Sequence, residues 1–253
     1  MTTPRVYAPG AGDGKDVLLT EEEGAHLVRV LRLGPGSAVR VFDGEGSEFD
    51  GEITAVSRSA VHVRVGNPAV SAREPEVRLV AAPALIKGDG FDEIVRDAVM
   101  MGAAAVRPVL TERTVVRTRE SMATRWQRVA LAAAKQSGRA VLPRIDAPVT
   151  LDQLLATDAS AMRVAFVEPS ADILVTDVLT LPAPASALVI VGPEGGWSPA
   201  ELEFFKEKGL TFARIGGRTI TSERATIAAL AVLTAAWDKG GATLQGPPPR
   251  KYL

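Results

Sequence analysis

The sequence predicts a two-part α/β protein: a small antiparallel β-barrel or sandwich through about residue 70, followed by a domain built on a parallel sheet. In the first part, "AVRVF", "EFDGEITAV" and "AVHVRV" alternate apolar and polar residues, setting Val39 and Val41, and Val61, Val63 and Val65, on one face. After "NPAVSAREPE", read as a loop or linker from Asn67 to Glu76, longer apolar runs alternate with helical patterns, as in strands covered on both faces. The chain has 253 residues, 46% of them hydrophobic, enough for one large domain or two modest ones.

The elements follow in order. "GAGDGK" precedes a strand rather than opening a helix and reads as a surface turn. "EEEGAHLVRVLRL" interrupts the strand periodicity: His26, Arg29 and Arg32 recur every third residue between apolar Leu27, Val30 and Leu31. Such a basic helical edge suits phosphate, and spacing alone leaves a solvated helix face as the alternative. "VRLVAAPAL" is a buried strand. The next segment sets Phe91, Ile94, Val95, Ala98 and Val99 on one helical face, with Asp92 and Glu93 in the first turn and Gly102 at the end. Strand "AAVRPVL", helix "SMATRWQRVALAAAKQSG", strands "RVAFVEP" and "ALVIVGPEGG", a helix from Pro199, strand "FARIGG" and helix "ERATIAALAVLTAAW" complete the pattern. The proline-rich tail "QGPPPRKYL" is expected to be flexible.

Composition narrows the chemistry. With 29 basic and 30 acidic residues the formal charge is -1, so a polyanion has to be met by a local basic patch. The absence of cysteine excludes disulfides, thiolate catalysis and cysteine-ligated metal, and two histidines, His26 and His62, are too few for most metal centres. No signal-type N-terminus and no apolar run of roughly 18 residues is present, which makes a cytoplasmic location and no membrane partner the expectation.

The densest motif is "VGPEGGWSPAELE", Val191 to Glu203. Ser198, Pro199 and Glu201 compose a capping box, and Trp197 with Leu202 a hydrophobic staple. A helix start therefore explains the segment from Trp197 onward, whereas the cap does not require Gly195 and Gly196. Paired glycines at a strand end let the backbone approach a ligand. "IGGRTITSERA", Ile215 to Ala225, is a second such loop. Neither the P-loop pattern nor G-x-G-x-x-G occurs, which argues against a P-loop NTPase and an ordinary dinucleotide fold.

"GPEGGWSPAELE", with "HLVRVLRL", "LIKGDGFDEIV", "AAAKQSGRAVLP" and "IGGRTITSE" in the same order, resembles the RsmE-type ribosomal RNA methyltransferases of the SPOUT superfamily. The resemblance implies a PUA-like RNA-binding barrel over residues 1–72, a SPOUT domain with a deep trefoil knot over 73–243, a tail over 244–253, and a homodimer. It implies transfer of a methyl group from S-adenosylmethionine to N3 of a uridine in small-subunit (16S) ribosomal RNA, without a metal. The cofactor would be held by Phe166, Val167 and Glu168, by Gly192, Pro193, Glu194, Gly195 and Gly196, and by Ile215, Gly216, Gly217, Ile220, Thr221, Ser222 and Ala225.

Arg218 is expected either to stabilise charge on the uracil or to bind phosphate, because a guanidinium presents five fixed donors. Glu194 and Glu223 are candidate bases or cofactor-orienting groups, with loop fixing and helix-terminus stabilisation as their alternatives. Arg29, Arg32, Lys87, Lys135, Gln136 and Arg139 are expected RNA contacts, the last three alternatively dimer contacts. The chain departs from the family pattern at Thr221, Arg224 and Met100, so a charge has either shifted along the chain or been lost. An RNA-binding protein of the same fold without turnover, and a small-molecule-binding α/β protein, are the competing readings.

Overall fold

The computed structural model describes residues 3–58, 60–116, 121–168, 177, 180 and 182–238. The expected tail at 244–253 lies outside them. Two compact units emerge: one takes in the described chain to Glu74 together with Ala134–Leu142, the other Pro75–Ala133 and the described chain from Pro143 to Asp238.

In the first unit, β1 (Arg5–Tyr7), β2 (Asp16–Leu18), β3 (Ala38–Phe42), β4 (Glu48–Val56) and β5 (Val61–Ala69) form a five-stranded sheet in the order β1-β3-β4-β5-β2. All neighbours are antiparallel except β1 and β3. The alternating valines point inward as expected, and Leu27 and Ile53 fill the space between them. The helix read from "EEEGAHLVRVLRL" is a short α1 (Glu21–Ala25) that continues as a π-helical turn over His26–Val30. The expected linker starts later: Asn67–Ala69 belong to β5, because a register shift between Phe49 and Gly51 lets Pro68 and Ala69 pair with Phe49 and Glu48.

A buried ion pair locks this unit. The Arg5 Nε and Nη2 donate to the two Glu48 carboxylate oxygens at 2.8 and 3.0 Å. Its remaining donors reach the carbonyl oxygens of Ala134 at 2.7 Å and Arg139 at 3.0 Å. Both side chains are almost wholly buried, so every polar atom has to be matched.

The second unit contains a six-stranded parallel sheet in the order β13-β11-β12-β6-β7-β9. Its strands are β6 (Arg78–Pro83), β7 (Ala105–Val106), β9 (Arg144–Ile145), β11 (Met162–Phe166), β12 (Ser186–Val191) and β13 (Thr211–Ala213). The run "AAVRPVL", expected as one strand, breaks in two. Pro108 cannot donate to the ladder, so β7 ends and β8 (Val109–Leu110) leaves to pair with β10 (Val149–Thr150). The helices are α2 (Gly90–Met100), α3 (Ser121–Ser137), α4 (Leu151–Thr157), α5 (Pro199–Glu207) and α6 (Ser222–Trp237).

The five apolar residues expected on the α2 face are the five it buries. Strand β12 is buried from Ala187 to Val191, which requires cover on both sides of the sheet. Leu154 and Leu155 of α4 and Phe205 of α5 pack on Leu188 and Ile190, while α6 packs on α2, β6 and β12.

Glu48→Ala leaves the Arg5 charge buried without its carboxylate and should cost about 3–5 kcal/mol. Glu203→Ala, which breaks an exposed pair with Lys206, should cost less than about 1 kcal/mol. Urea unfolding of both variants measures the contrast.

Candidate functional site

Three neighbouring strands end together. In the ladders, Phe166 at the end of β11 stands opposite Val191 of β12 on one side and Ala213 of β13 on the other. The segments that follow therefore leave one edge of the sheet side by side: Val167 and Glu168, Gly192–Ser198, and Arg214–Thr221. Parallel strands place a ligand crevice at such carboxyl ends. The three segments enclose a cleft open to solvent.

The first segment contributes Phe166, Val167 and Glu168 to the cleft wall, and the second Gly192, Pro193 and Gly196. The third contributes Ile215, Arg218, Ile220, Ser222 and Ala225. Glu194, Gly195, Gly216, Gly217 and Thr221, expected among the same contacts, are not wall residues. Val191, Trp197 and Thr219 are wall residues that sequence reading missed.

Trp197 changes the reading of the glycine motif. Its indole Nε1–H donates to the Phe166 carbonyl at 2.9 Å, and its ring meets Phe205 edge-on at 4.9 Å between centroids. A Cβ on Gly192 would stand 3.0 Å from the same indole, so a side chain there would require the ring to shift by a few tenths of an ångström. Trp197 is thus a wall of the cleft and a tie between two strand ends, and the helix start alone does not account for it. Gly196 closes a turn by donating its N–H to the Pro193 carbonyl at 2.9 Å, with φ at 68°, where a side chain is strained and would also meet the Glu168 carboxylate.

Two further contacts fix the loops. The Ser222 hydroxyl donates to the Gly192 carbonyl at 2.7 Å, joining the third segment to the second. The expected capping box forms: Glu201 N–H donates to Ser198 Oγ at 3.2 Å, and Ser198 N–H to Glu201 Oε2 at 2.8 Å. The other Glu201 oxygen accepts from the Glu112 N–H at 2.8 Å. The adjacent Arg113 guanidinium donates to the Gly195 carbonyl. Thr111 and Thr114 close the tight turn that presents both groups. The segment "TERT" braces the glycine loop from outside the cleft, and its separation of 82 to 89 residues in the chain hid this from sequence reading.

Of the catalytic candidates, Arg218 lines the cleft. Glu194 is exposed at the loop tip and off the wall. Glu223 is also off the wall: a Cβ on Gly90 would lie 2.6 Å from its Oε1, and its buried Oε2 accepts no hydrogen bond among the described residues. The carboxylate packs at the start of α2, so the expected role of Glu223 as a base in the cleft is not supported. Arg224 approaches Glu93 of α2 at 3.7 Å, so the charge that the family pattern carries at position 221 has not moved into the cleft.

The expected RNA contacts divide. Arg29 and Arg32 are exposed, as are Lys87, before α2, and Gln136. Lys135 is paired with both Glu23 oxygens at 2.8 Å. Arg139 is 4% exposed and doubly bonded to Glu74, which gives it a packing role in place of the expected RNA contact. Among the described residues no group of three or more His, Asp or Glu side chains could hold a metal ion, and no helix is long and apolar enough to cross a membrane.

Comparison with known proteins bears on this geometry. A family model described as an RNA methyltransferase domain matches residues 73–234, and one described as an RNA methyltransferase PUA domain matches residues 19–66. The chain is 32% identical to the ribosomal RNA small subunit methyltransferase E of Synechocystis sp. over 233 residues, 91% of this chain and 76% of that protein. It is 30% identical to the protein of the same name from Bacillus subtilis, over 85% of this chain and 88% of that one. Among solved structures it is similar to a Legionella pneumophila methyltransferase in complex with the cofactor SAM, with a TM-score of 0.85 and 29% identity over 93% of this chain and 98% of that one. It is also similar to the ribosomal RNA small subunit methyltransferase E of Neisseria gonorrhoeae bound to S-adenosyl methionine, with a TM-score of 0.83 and 26% identity over the same shares.

If the "TERT" turn holds the glycine loop, Arg113→Ala should speed amide hydrogen exchange at Gly196 by about tenfold, the effect of losing one charge-assisted hydrogen bond. Exchange at β6 amides should stay unchanged. Exchange mass spectrometry of the two proteins checks both.

Proposed function

This chain belongs to the ribosomal RNA small subunit methyltransferase E family of RNA methyltransferases, and we propose that it methylates N3 of a uridine in 16S ribosomal RNA with S-adenosylmethionine as donor. The observation that carries the proposal is the register of β12, β11 and β13, which makes one cleft from both glycine-bearing loops and Phe166–Glu168.

The walls suit the cofactor. Phe166, Val167, Trp197 and Ile220 offer apolar surface for an adenine, and the exposed Glu168 carboxylate offers an acceptor for hydroxyl or ammonium groups. Main-chain groups around Gly192–Gly196 and Ile215–Ser222 would make the remaining contacts. When bound, the cofactor supplies an electrophilic methyl group on a sulfonium.

The protein's own contribution is position and charge. Methylation at N3 requires loss of the N3 proton, and the resulting negative charge spreads onto the flanking carbonyl oxygens. Arg218 is the cation of the cleft wall, and its guanidinium favours that charge where it develops. Glu194 and Glu223 lie off the wall, which leaves the Glu168 carboxylate and solvent at the open mouth of the cleft to take the proton. Holding the two reactants in one orientation converts a bimolecular encounter into an intramolecular one.

We extend the proposal to the rest of the molecule. Residues 1–72 act as the PUA-like RNA-binding part and residues 73–243 as a SPOUT domain, with Ala134–Leu142 packed into the first unit. The interior place of the late strand β12, between β11 and β6, supports a knotted SPOUT arrangement. A homodimer working in the cytoplasm completes the reading.

Calorimetry should detect S-adenosylmethionine binding, and absence of binding at millimolar ligand overturns the enzyme reading. Arg218→Ala should leave that affinity within about twofold and lower methylation of 16S ribosomal RNA at least a hundredfold, the scale of losing one charge-stabilising donor. Unchanged turnover removes Arg218 from the mechanism.

A further inference from the structure

A second cleft, of about 390 Å³, opens on the first unit between α1 and the turn that joins β4 to β5. Glu21, Ala25, Val28 and Arg29 line it from the helical side and Arg58 from the turn side. Both arginines are exposed, and neither has a partner among the described residues. The cleft thus combines an apolar wall, an acceptor and two uncommitted guanidinium groups.

The chain beside it is irregular in a way that faces outward. Regular α-helical spacing from the buried Leu27 would turn residues three and four positions on toward the core. The π-helical turn His26–Val30 changes that spacing, and Val30 and Leu31 stand 65% and 40% exposed. Arg32, with φ at 55°, is the one non-glycine residue with positive φ among the described residues. π-turns and left-handed non-glycine residues cost free energy and concentrate at functional sites. Here they leave two large apolar side chains exposed next to unpaired cations.

We infer that this cleft seats one unpaired nucleotide of the RNA substrate, an inference that rests on the reading of the chain as an RNA methyltransferase. The base lies against Ala25 and Val28, its N–H groups donate to Glu21, and the flanking phosphates are held by Arg29 and Arg58. Val30 and Leu31 cover the neighbouring base. A duplex hides its base faces in the stack and offers only phosphates and groove edges, so it can use the arginines but not the apolar wall. An unstacked nucleotide uses all of them.

The test uses the full chain and two probes, an unstructured labelled oligoribonucleotide of about eight nucleotides and an RNA duplex, with fluorescence anisotropy across a salt series. Arg58→Ala and Arg29→Ala should each weaken single-strand binding at least fivefold and lower its salt slope by about 0.7. Duplex binding, which uses the phosphate contacts alone, should weaken by a smaller factor, and an unchanged urea-unfolding curve shows that the variants are folded. Single-strand binding that stays at the parent level overturns the inference, and so does equal weakening for both probes, which marks a general phosphate edge. A parent that methylates RNA while both variants bind normally overturns the cleft alone. A parent that binds the single strand through these arginines but transfers no methyl overturns the proposed function alone. A parent that binds neither probe overturns both.

Discussion

The candidate site depends on one constraint: the seating of the Trp197 indole between two strand ends. Its N–H engages the Phe166 carbonyl, its ring lies close against Gly192, and it meets Phe205 edge-on in the core. A buried indole needs a partner for its single donor, and the partner here is the carbonyl at the end of β11. The main chain is thereby pinned where β11 and β12 give way to loops.

The outer contacts serve the same geometry. Glu201 satisfies the start of α5 with one oxygen and the Glu112 amide with the other, so a helix cap doubles as a fastening for the "TERT" turn. Arg113 extends from that turn to the carbonyl of Gly195. Glycine-rich loops carry a high conformational entropy, and these bonds supply the order that the residues themselves do not favour. A loop held this way meets a ligand already shaped, which limits the entropy lost on binding. Arg5 and Glu48 do comparable work in the first unit, where one buried guanidinium ties two strands to the carbonyls of Ala134 and Arg139.

Strong periodicities were legible in the sequence. The buried face of α2, the alternating valines of β3 and β5, and the capping box at Ser198 follow from local rules and stand as expected. Elements of two or three residues, such as β7 to β10, were not legible, because long-range pairing defines them and no local pattern does. Pro108 marks where one expected strand divides, and its missing donor is visible only once the ladder is known. At the site, the strand-end loops were readable from their glycines and the pairing of the two loops from their resemblance to a known family. Arg113 was not readable, since nothing local links it to Gly195. Glu223 and Arg139 show the converse: charged residues in suggestive motifs whose side chains pack against α2 and Glu74 instead of facing a ligand.

The central claim is that this cleft serves methylation of a uridine in the small-subunit ribosomal RNA. Mass spectrometry of that RNA from cells lacking the gene, compared with cells carrying it, addresses reaction, substrate and position together. One N3-methyluridine should be missing without the gene and restored by the intact gene. An identical set of methylated nucleotides in both RNAs would contradict the claim.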